Sequence, residues 1–193
     1  MNAVELRDVT KRFGKVVAVD NLSLDVPRGS IYGFIGPNGS GKTTTLRMIM
    51  NIFYPDSGRI EVLGGLLHGT CTDRIGYLPE ERGLYKRMGV RDLLKFYGRL
   101  KSGHNVARQV DTWLERFDLA DWGKKKVETL SKGMSQKVQF IAAVVAEPEL
   151  IVLAKQPEPC PLSPDGPKLI PARFLSAKAY RFQQSSSLPL FLL

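Results

Sequence analysis

Residues 36–43 read Gly36, Pro37, Asn38, Gly39, Ser40, Gly41, Lys42 and Thr43, with Thr44 following. This spacing of two fixed glycines before a lysine and a hydroxyl can do one kind of chemistry well. Glycines allow successive backbone N–H groups to turn inward and form a concave nest for phosphate oxygens. A helix that starts at the end of the loop adds its positive N-terminal end to the same point. Lys42 supplies a mobile cation for β- and γ-phosphates, and the Thr43 hydroxyl suits a ligand of Mg²⁺. Phosphate binding follows from the loop itself. The reaction that phosphate then enters does not.

Such a loop works only when a strand and a helix hold its ends. Ile31 to Ile35 is a short apolar run of the type buried on both faces of a parallel sheet. Thr44 to Ile52 continues as a helix. Ahead of the loop, Val4 and Leu6 alternate with Glu5 and Arg7, and Leu22, Leu24 and Val26 alternate with Ser23 and Asp25. This period of two marks half-buried strands, with a turn at Pro27-Arg28-Gly29. Further strands are expected at 59–63, 75–78 and 150–153. From about residue 88 the period lengthens: Val90, Leu93, Leu94, Tyr97 and Leu100 form one helical stripe, and Val106, Val110, Trp113, Leu114 and Phe117 another. A third helix is expected over 135–146.

Two segments narrow the class. Residues 130–134 read Leu-Ser-Lys-Gly-Met ahead of that third helix, and residues 11–14 read Lys-Arg-Phe-Gly. The first resembles the signature of ABC-type ATPases, commonly LSGGQ. The second stands where that family presents an aromatic ring, here Phe13, to the nucleobase. Taken alone, Phe13 reads more readily as a core residue. An aromatic–base stack contributes about 1–3 kcal/mol and tolerates any base. The resemblance spans residues 1 to about 153 and is nearest to the ATPases of ABC-2-type exporters, including sodium-extruding ones. Residues 75–94 and 130–150 carry that likeness.

The resemblance implies an α/β fold: a P-loop NTPase (RecA-like) core, an N-terminal antiparallel β-subdomain and an inserted helical subdomain at about 84–134. It implies ATP and Mg²⁺ as ligands, with Thr43 and Glu80 near the metal. Glu80 stands where most of the family has Gln, and would couple the nucleotide site to the helical subdomain and reach the attacking water. Read without the family, it is a solvated loop acid beside Glu81 and Arg82. Ser131 and Gly133, with Lys132 and Met134 in place of the usual Gly and Gln, would close over ATP held by a second copy. The implied partners are therefore a second nucleotide-binding subunit, in a head-to-tail homodimer, and an integral membrane permease. The implied location is cytoplasmic, at the inner face of the membrane.

The same pattern breaks after Leu153. The family's strand should end in Asp followed by Glu, the metal-holding acid and the general base, but Ala154 and Lys155 stand there. The family's later histidine is also missing, since His68 and His104 both precede the signature. Residues 154–193 hold seven of the twelve prolines and a Ser185-Ser186-Ser187 run, a composition unsuited to continuing an α/β core. The sequence therefore predicts a non-homologous, disordered tail and an incomplete core sheet, from a shift out of the ancestral reading frame after codon 153 or, as the rival reading, a natural variant tail with a partner of its own. Three readings stay open: an exporter ATPase, a nucleotide binder without turnover, and a soluble ABC-type factor. The last would normally carry tandem domains or a coiled-coil insert.

Composition sets the outer bounds. At 193 residues with 43% hydrophobic and 24% charged content, the chain suits one globular domain. No stretch approaches 18 apolar residues, and no apolar signal region opens the chain. Cys71 and Cys160 show no disulfide or metal spacing. The net charge of +9 is spread, with Lys124-Lys125-Lys126 reading as a solvated loop, so no nucleic-acid partner is expected.

Overall fold

The computed structural model describes residues 1–34, 36–66, 73–79, 83–154, 179–180 and 190–192. Glu80, Lys155, His68 and both cysteines lie outside them. Three layers are built: an antiparallel sheet, a mostly parallel sheet and a helical unit. The first sheet has order β2-β1-β4-β5, from β1 (Asn2–Phe13), β2 (Val16–Pro27), β4 (Ser57–Val62) and β5 (Gly65–Leu66). The β1–β2 hairpin runs well past the residues whose alternation marks it. Its ladder slips between Leu6 and Val9, where Asp8 takes a positive φ of 50°. That bulge absorbs the broken alternation at Asp8-Val9 and lets the strand continue.

The second sheet has order β6-β7-β9-β3-β8. Its strands are β3 (Ile31–Gly33), β6 (Ile75–Leu78), β7 (Leu150–Leu153), β8 (Ala179–Tyr180) and β9 (Leu190–Leu192). All neighbours are parallel except β3 and β8. Here the outcome differs from the expected gap beyond Leu153. Leu190 to Leu192 pair with both Ile31–Gly33 and Ile151–Leu153. A strand between β3 and β7 gives their facing backbone N–H and C=O groups partners, which an open slot would leave unmet. Residues 179–180 and 190–192, all beyond Leu153, thus belong to the sheet.

Helix α1 (Lys42–Ile49) follows the phosphate loop. Leu46, Met48 and Ile49 are buried with Val4, Leu6, Val9, Tyr32, Ile60, Val62, Leu150 and Val152, so one core joins α1 to both sheets. A second core lies in the helical unit, built from α2 (Val90–Ser102), α3 (Ala107–Arg116) and α4 (Lys132–Val144). Leu93, Leu94, Val110 and Leu114 are completely buried there. Full burial of one such leucine stabilises by about 1.5–3 kcal/mol. One residue departs from the expected stripes: Leu100 is 68% exposed, near the end of α2, whereas Val106, just before α3 begins, is buried as expected.

The 123–125 loop has a structural job. Gly123 and Lys125 carbonyls accept hydrogen bonds from the N–H groups of Arg91 (2.8 Å) and Val90 (3.0 Å), satisfying the free first turn of α2. The Lys124, Lys125 and Lys126 side chains stay exposed, with Lys125 lying 4.2 Å over the Trp122 ring. No helix among the described residues is long and apolar enough to cross a membrane.

Candidate functional site

Strand β3 ends at Gly33, and the glycine-rich loop carries the chain to α1. Two glycines set the loop's shape. Gly39 has φ +82°, and a Cβ there would meet nothing within 4 Å. Gly41, the N-cap of α1, has φ +84°, and a Cβ there would lie 2.2 Å from the Ala18 carbonyl oxygen. That carbonyl has its own explanation. Register partners step from Arg12↔Val17 to Lys11↔Val19, so Ala18 is the extra residue of a bulge on β2. The bulge presses its backbone against the loop, and only glycine leaves room.

The first hydrogen bond into α1 runs from Thr45 N to Gly41 O at 2.8 Å. The N–H groups of Gly41, Lys42, Thr43 and Thr44 therefore precede the helical ladder and remain available to an anion. Thr45 is buried, and its hydroxyl donates to the same Gly41 carbonyl at 3.0 Å, locking the first turn. The Ser40 hydroxyl is buried and without a hydrogen-bond partner. A phosphate oxygen seated in the loop would give this hydroxyl a partner. The Thr43 side chain is exposed at the helix start.

Lys42 reaches back over the loop, donating to Gly36 O (2.6 Å) and Pro37 O (2.8 Å). Partial burial pulls its pKa below the ordinary lysine value. A triphosphate entering the nest offers this ammonium stronger, charged acceptors than two carbonyls. The site thus fits a nucleotide phosphate chain. Among the described residues no three His, Cys, Asp or Glu side chains cluster as a metal site. A magnesium ion at this loop would draw on Thr43, phosphate oxygens and water, the arrangement this hard cation favours.

Phe13 sits at the end of the hairpin whose β2 strand abuts the loop. It pairs with Val16 at the hairpin end, two residues from the Ala18 that abuts Gly41. Its ring is 44% exposed and meets the Phe53 ring at 5.4 Å and 70°. Phe53, in the turn after α1, was missed by sequence reasoning. An aromatic at 53, ahead of Pro55-Asp56-Ser57-Gly58, was the available signal.

Ser131 caps α4: its hydroxyl accepts from Met134 N at 3.2 Å. Ser131, Lys132 and Gly133 are exposed, and a Cβ on Gly133 would meet nothing within 4 Å. The Met134 side chain differs, packing against the helical core rather than facing outward. Among the described residues, the hydrogen bonds of 131–134 stay within α4 and its cap, and those of 36–44 within the loop and α1. At the seam between the sheet and the helical unit lies a cavity of about 310 Å³, lined by Tyr77, Leu78, Pro79, Tyr97, Lys101 and Gln139 among others. At the end of β7, Ala154 N donates to Leu78 O at 3.0 Å, so Ala154 stands where a carboxylate was expected.

A phosphate nest at the N-terminus of α1, on a parallel strand flanked by an antiparallel sheet and a helical unit, defines a nucleotide-binding domain of the P-loop type. The ABC transporter family model matches residues 19–154, and the chain belongs to that family. It is 49% identical over 147 residues to the uncharacterised ABC transporter ATP-binding protein YhaQ of Bacillus subtilis, covering 75% of this chain and 49% of YhaQ. It is 40% identical over 159 residues to the daunorubicin resistance ATP-binding protein DrrA3 of Streptomyces coeruleorubidus, covering 78% of this chain and 49% of DrrA3. A solved ATP-binding subunit of an ABC transporter superposes with a TM-score of 0.71 at 27% identity, over 78% of this chain and 65% of that one. The chain spans about half the length of the curated relatives it matches.

Proposed function

We propose that the chain is the ATP-binding, energy-coupling subunit of an ABC-type exporter. The observation that carries this is the loop itself: open amides at the α1 start, an orphaned Ser40 hydroxyl and Lys42 poised over carbonyls it can exchange for phosphate. The likeness of residues 75–94 and 130–150 to ABC-2-type exporters supports the exporter reading, and the 40% identity to a daunorubicin resistance ATP-binding protein agrees with it. In this reading Phe13 stacks on the base, Gly36 to Thr44 hold the phosphates, and Thr43 with Glu80 faces Mg²⁺. A magnesium ion held there would supply neutralisation of the β- and γ-phosphate charge. The exposed α4 start, Ser131 to Gly133, contacts ATP bound by a second copy in a head-to-tail homodimer. The cavity lined by Tyr77, Leu78 and Pro79 suits a seam through which a membrane permease senses nucleotide. The subunit works at the cytoplasmic face of the membrane and needs no nucleic acid.

A second reading, nucleotide binding without turnover, is favoured by Ala154 at the end of β7 and by Lys155 after it. Neither side chain offers a carboxylate to a metal or accepts a proton at neutral pH, and loss of a general base costs about 10²–10⁴ in rate. The family match ends at 154, beside these two residues, which supports a reading-frame origin for residues 154–193.

Calorimetric ATP titration and a phosphate-release assay on the full chain test both readings. ATP should bind, and Lys42→Ala should weaken binding at least about tenfold, the loss of one charged phosphate contact. Turnover near background supports the second reading, whereas turnover abolished by Lys42→Ala overturns it. Binding unchanged by Lys42→Ala overturns the site.

A further inference from the structure

The turn after α1 makes a second attachment to the Phe13 end of the hairpin. Asp56 accepts from Lys11 Nζ at 2.9 Å and from Arg12 N at 2.6 Å, and its own N–H donates to Thr10 O at 2.8 Å. Three consecutive residues before Phe13 are thus pinned by one aspartate. The Phe53 ring then meets the Phe13 ring edge-on, while Phe53 itself packs against the main core with Arg47 5.8 Å over its ring. Lys11, held by Asp56, also stands 5.6 Å over the Phe13 ring. An exposed phenylalanine on a hairpin end otherwise has several rotamers open to it. Here the ring has a fixed neighbour, and that neighbour lies in the turn leaving the helix whose first turn forms the phosphate nest.

We propose that Phe53 is a positioning residue for nucleobase binding: it holds the Phe13 ring in its stacking orientation and ties that platform to the back of the phosphate helix. The Asp56 clasp on Lys11 and Arg12 fixes the backbone on which the ring turns. This rests on the reading of Phe13 as the base platform. A pre-set ring gives up no rotamer freedom when the base arrives, so the loss on removing Phe53 falls on ligands with a base and spares those without one.

The test compares ATP with inorganic tripolyphosphate, which fills the nest but has no base, by calorimetry on the full chain. Phe13→Ala should weaken ATP about fivefold or more, from the value of a base stack, with tripolyphosphate unchanged. Phe53→Leu keeps apolar volume in the core but removes the ring edge; it should weaken ATP about threefold or more while leaving tripolyphosphate within about twofold. Phe53→Tyr, which keeps the ring edge, should keep the wild-type ratio, whereas a purely structural role of Phe53 would leave that ratio unchanged in Phe53→Leu as well. If Phe13→Ala shifts the ATP-to-tripolyphosphate ratio and Phe53→Leu does not, the positioning role is wrong and the platform stands. If Phe13→Ala shifts nothing, both fall. Equal weakening of the two ligands by Phe53→Leu means Phe53 acts on the fold as a whole, and also overturns the proposal.

Discussion

Replacing Gly41 with alanine should damage the loop far more than the same change at Gly39, although both glycines have nearly the same φ. The φ angles are +84° and +82°. Each alanine would bear the left-handed penalty of about 1–2 kcal/mol. They part at the Cβ. At Gly39 it points into open space, whereas at Gly41 it falls 2.2 Å from Ala18 O, with Val19 Cγ2 at 3.1 Å. Relieving that overlap means moving either the β2 bulge or the loop by about 1 Å or more, since ordinary contacts sit near 3.5 Å. Overpacking of this kind adds about 1–3 kcal/mol. Gly41→Ala should therefore cost about 2–5 kcal/mol and Gly39→Ala about 1–2.

For a domain of this size 1 kcal/mol moves Tm by about 2–4 °C, so the two variants should melt about 4–20 °C and 2–8 °C below the parent. Differential scanning calorimetry without nucleotide reads this directly. Tripolyphosphate titration should also show Gly41→Ala binding at least about tenfold more weakly, because the displaced amides no longer converge. If the two variants melt within about a degree of each other, the close approach of Ala18 to the loop is wrong, and with it the account of how β2 shapes the site.

Two further outcomes rest on named contacts. Ser131→Ala removes the acceptor of Met134 N and should cost about 1 kcal/mol, while Ser131→Asp should keep the cap and melt like the parent. In the proposed head-to-tail dimer the same aspartate would set a negative charge against a γ-phosphate, so light scattering should show nucleotide-dependent dimerisation lost in Ser131→Asp despite its intact fold. Glu149 takes two hydrogen bonds from the Arg74 guanidinium, which hold its carboxyl below the usual carboxylate pKa, against a small opposing effect of burial and with Arg28 helping at 3.7 Å. A depressed carboxylate stabilises the fold above its unfolded pKa, and that gain vanishes as pH falls through the folded one. Glu149→Gln should lower Tm modestly at neutral pH, where solvent screens this exposed pair, and the gap should close in acid, as thermal melts across pH will show.

The sequence made the α/β frame legible wherever period decides structure. The stripes at 90–100 and 106–117 became α2 and α3 because a two-helix face with no partner cannot be buried otherwise. The limits of those stripes were less clear, since Leu100 and Val106 fit the spacing equally and differ only in what lies opposite them. The hairpin's full length was hidden for a similar reason. A bulge costs one step of register, and alternation read along a single strand registers it as an ending. The strand Leu190–Leu192 was hidden altogether, because its pairing with β3 and β7 is fixed by a slot the rest of the chain creates, not by any local pattern.

The site divides along the same line. Gly36 to Thr44 was legible because its chemistry is local: nest, lysine and helix start are consecutive residues. Phe13 was legible only through the family, and the geometry explains why local reading was ambivalent. Its ring is partly exposed and partly packed, as a residue must be that offers surface to a ligand while its edge is held. What no local reading could supply are the groups that hold the site from a distance: Ala18 against Gly41, Phe53 against Phe13, Asp56 across Lys11 and Arg12. All three come from the β2 bulge and the turn after α1, the segments that join the phosphate helix to the antiparallel sheet. On the proposed reading of Phe13, the N-terminal sheet therefore does more than carry an aromatic to the nucleotide. It shapes the phosphate loop through Ala18 and is in turn held by the helix that loop begins, so base and phosphate subsites should stiffen or loosen together.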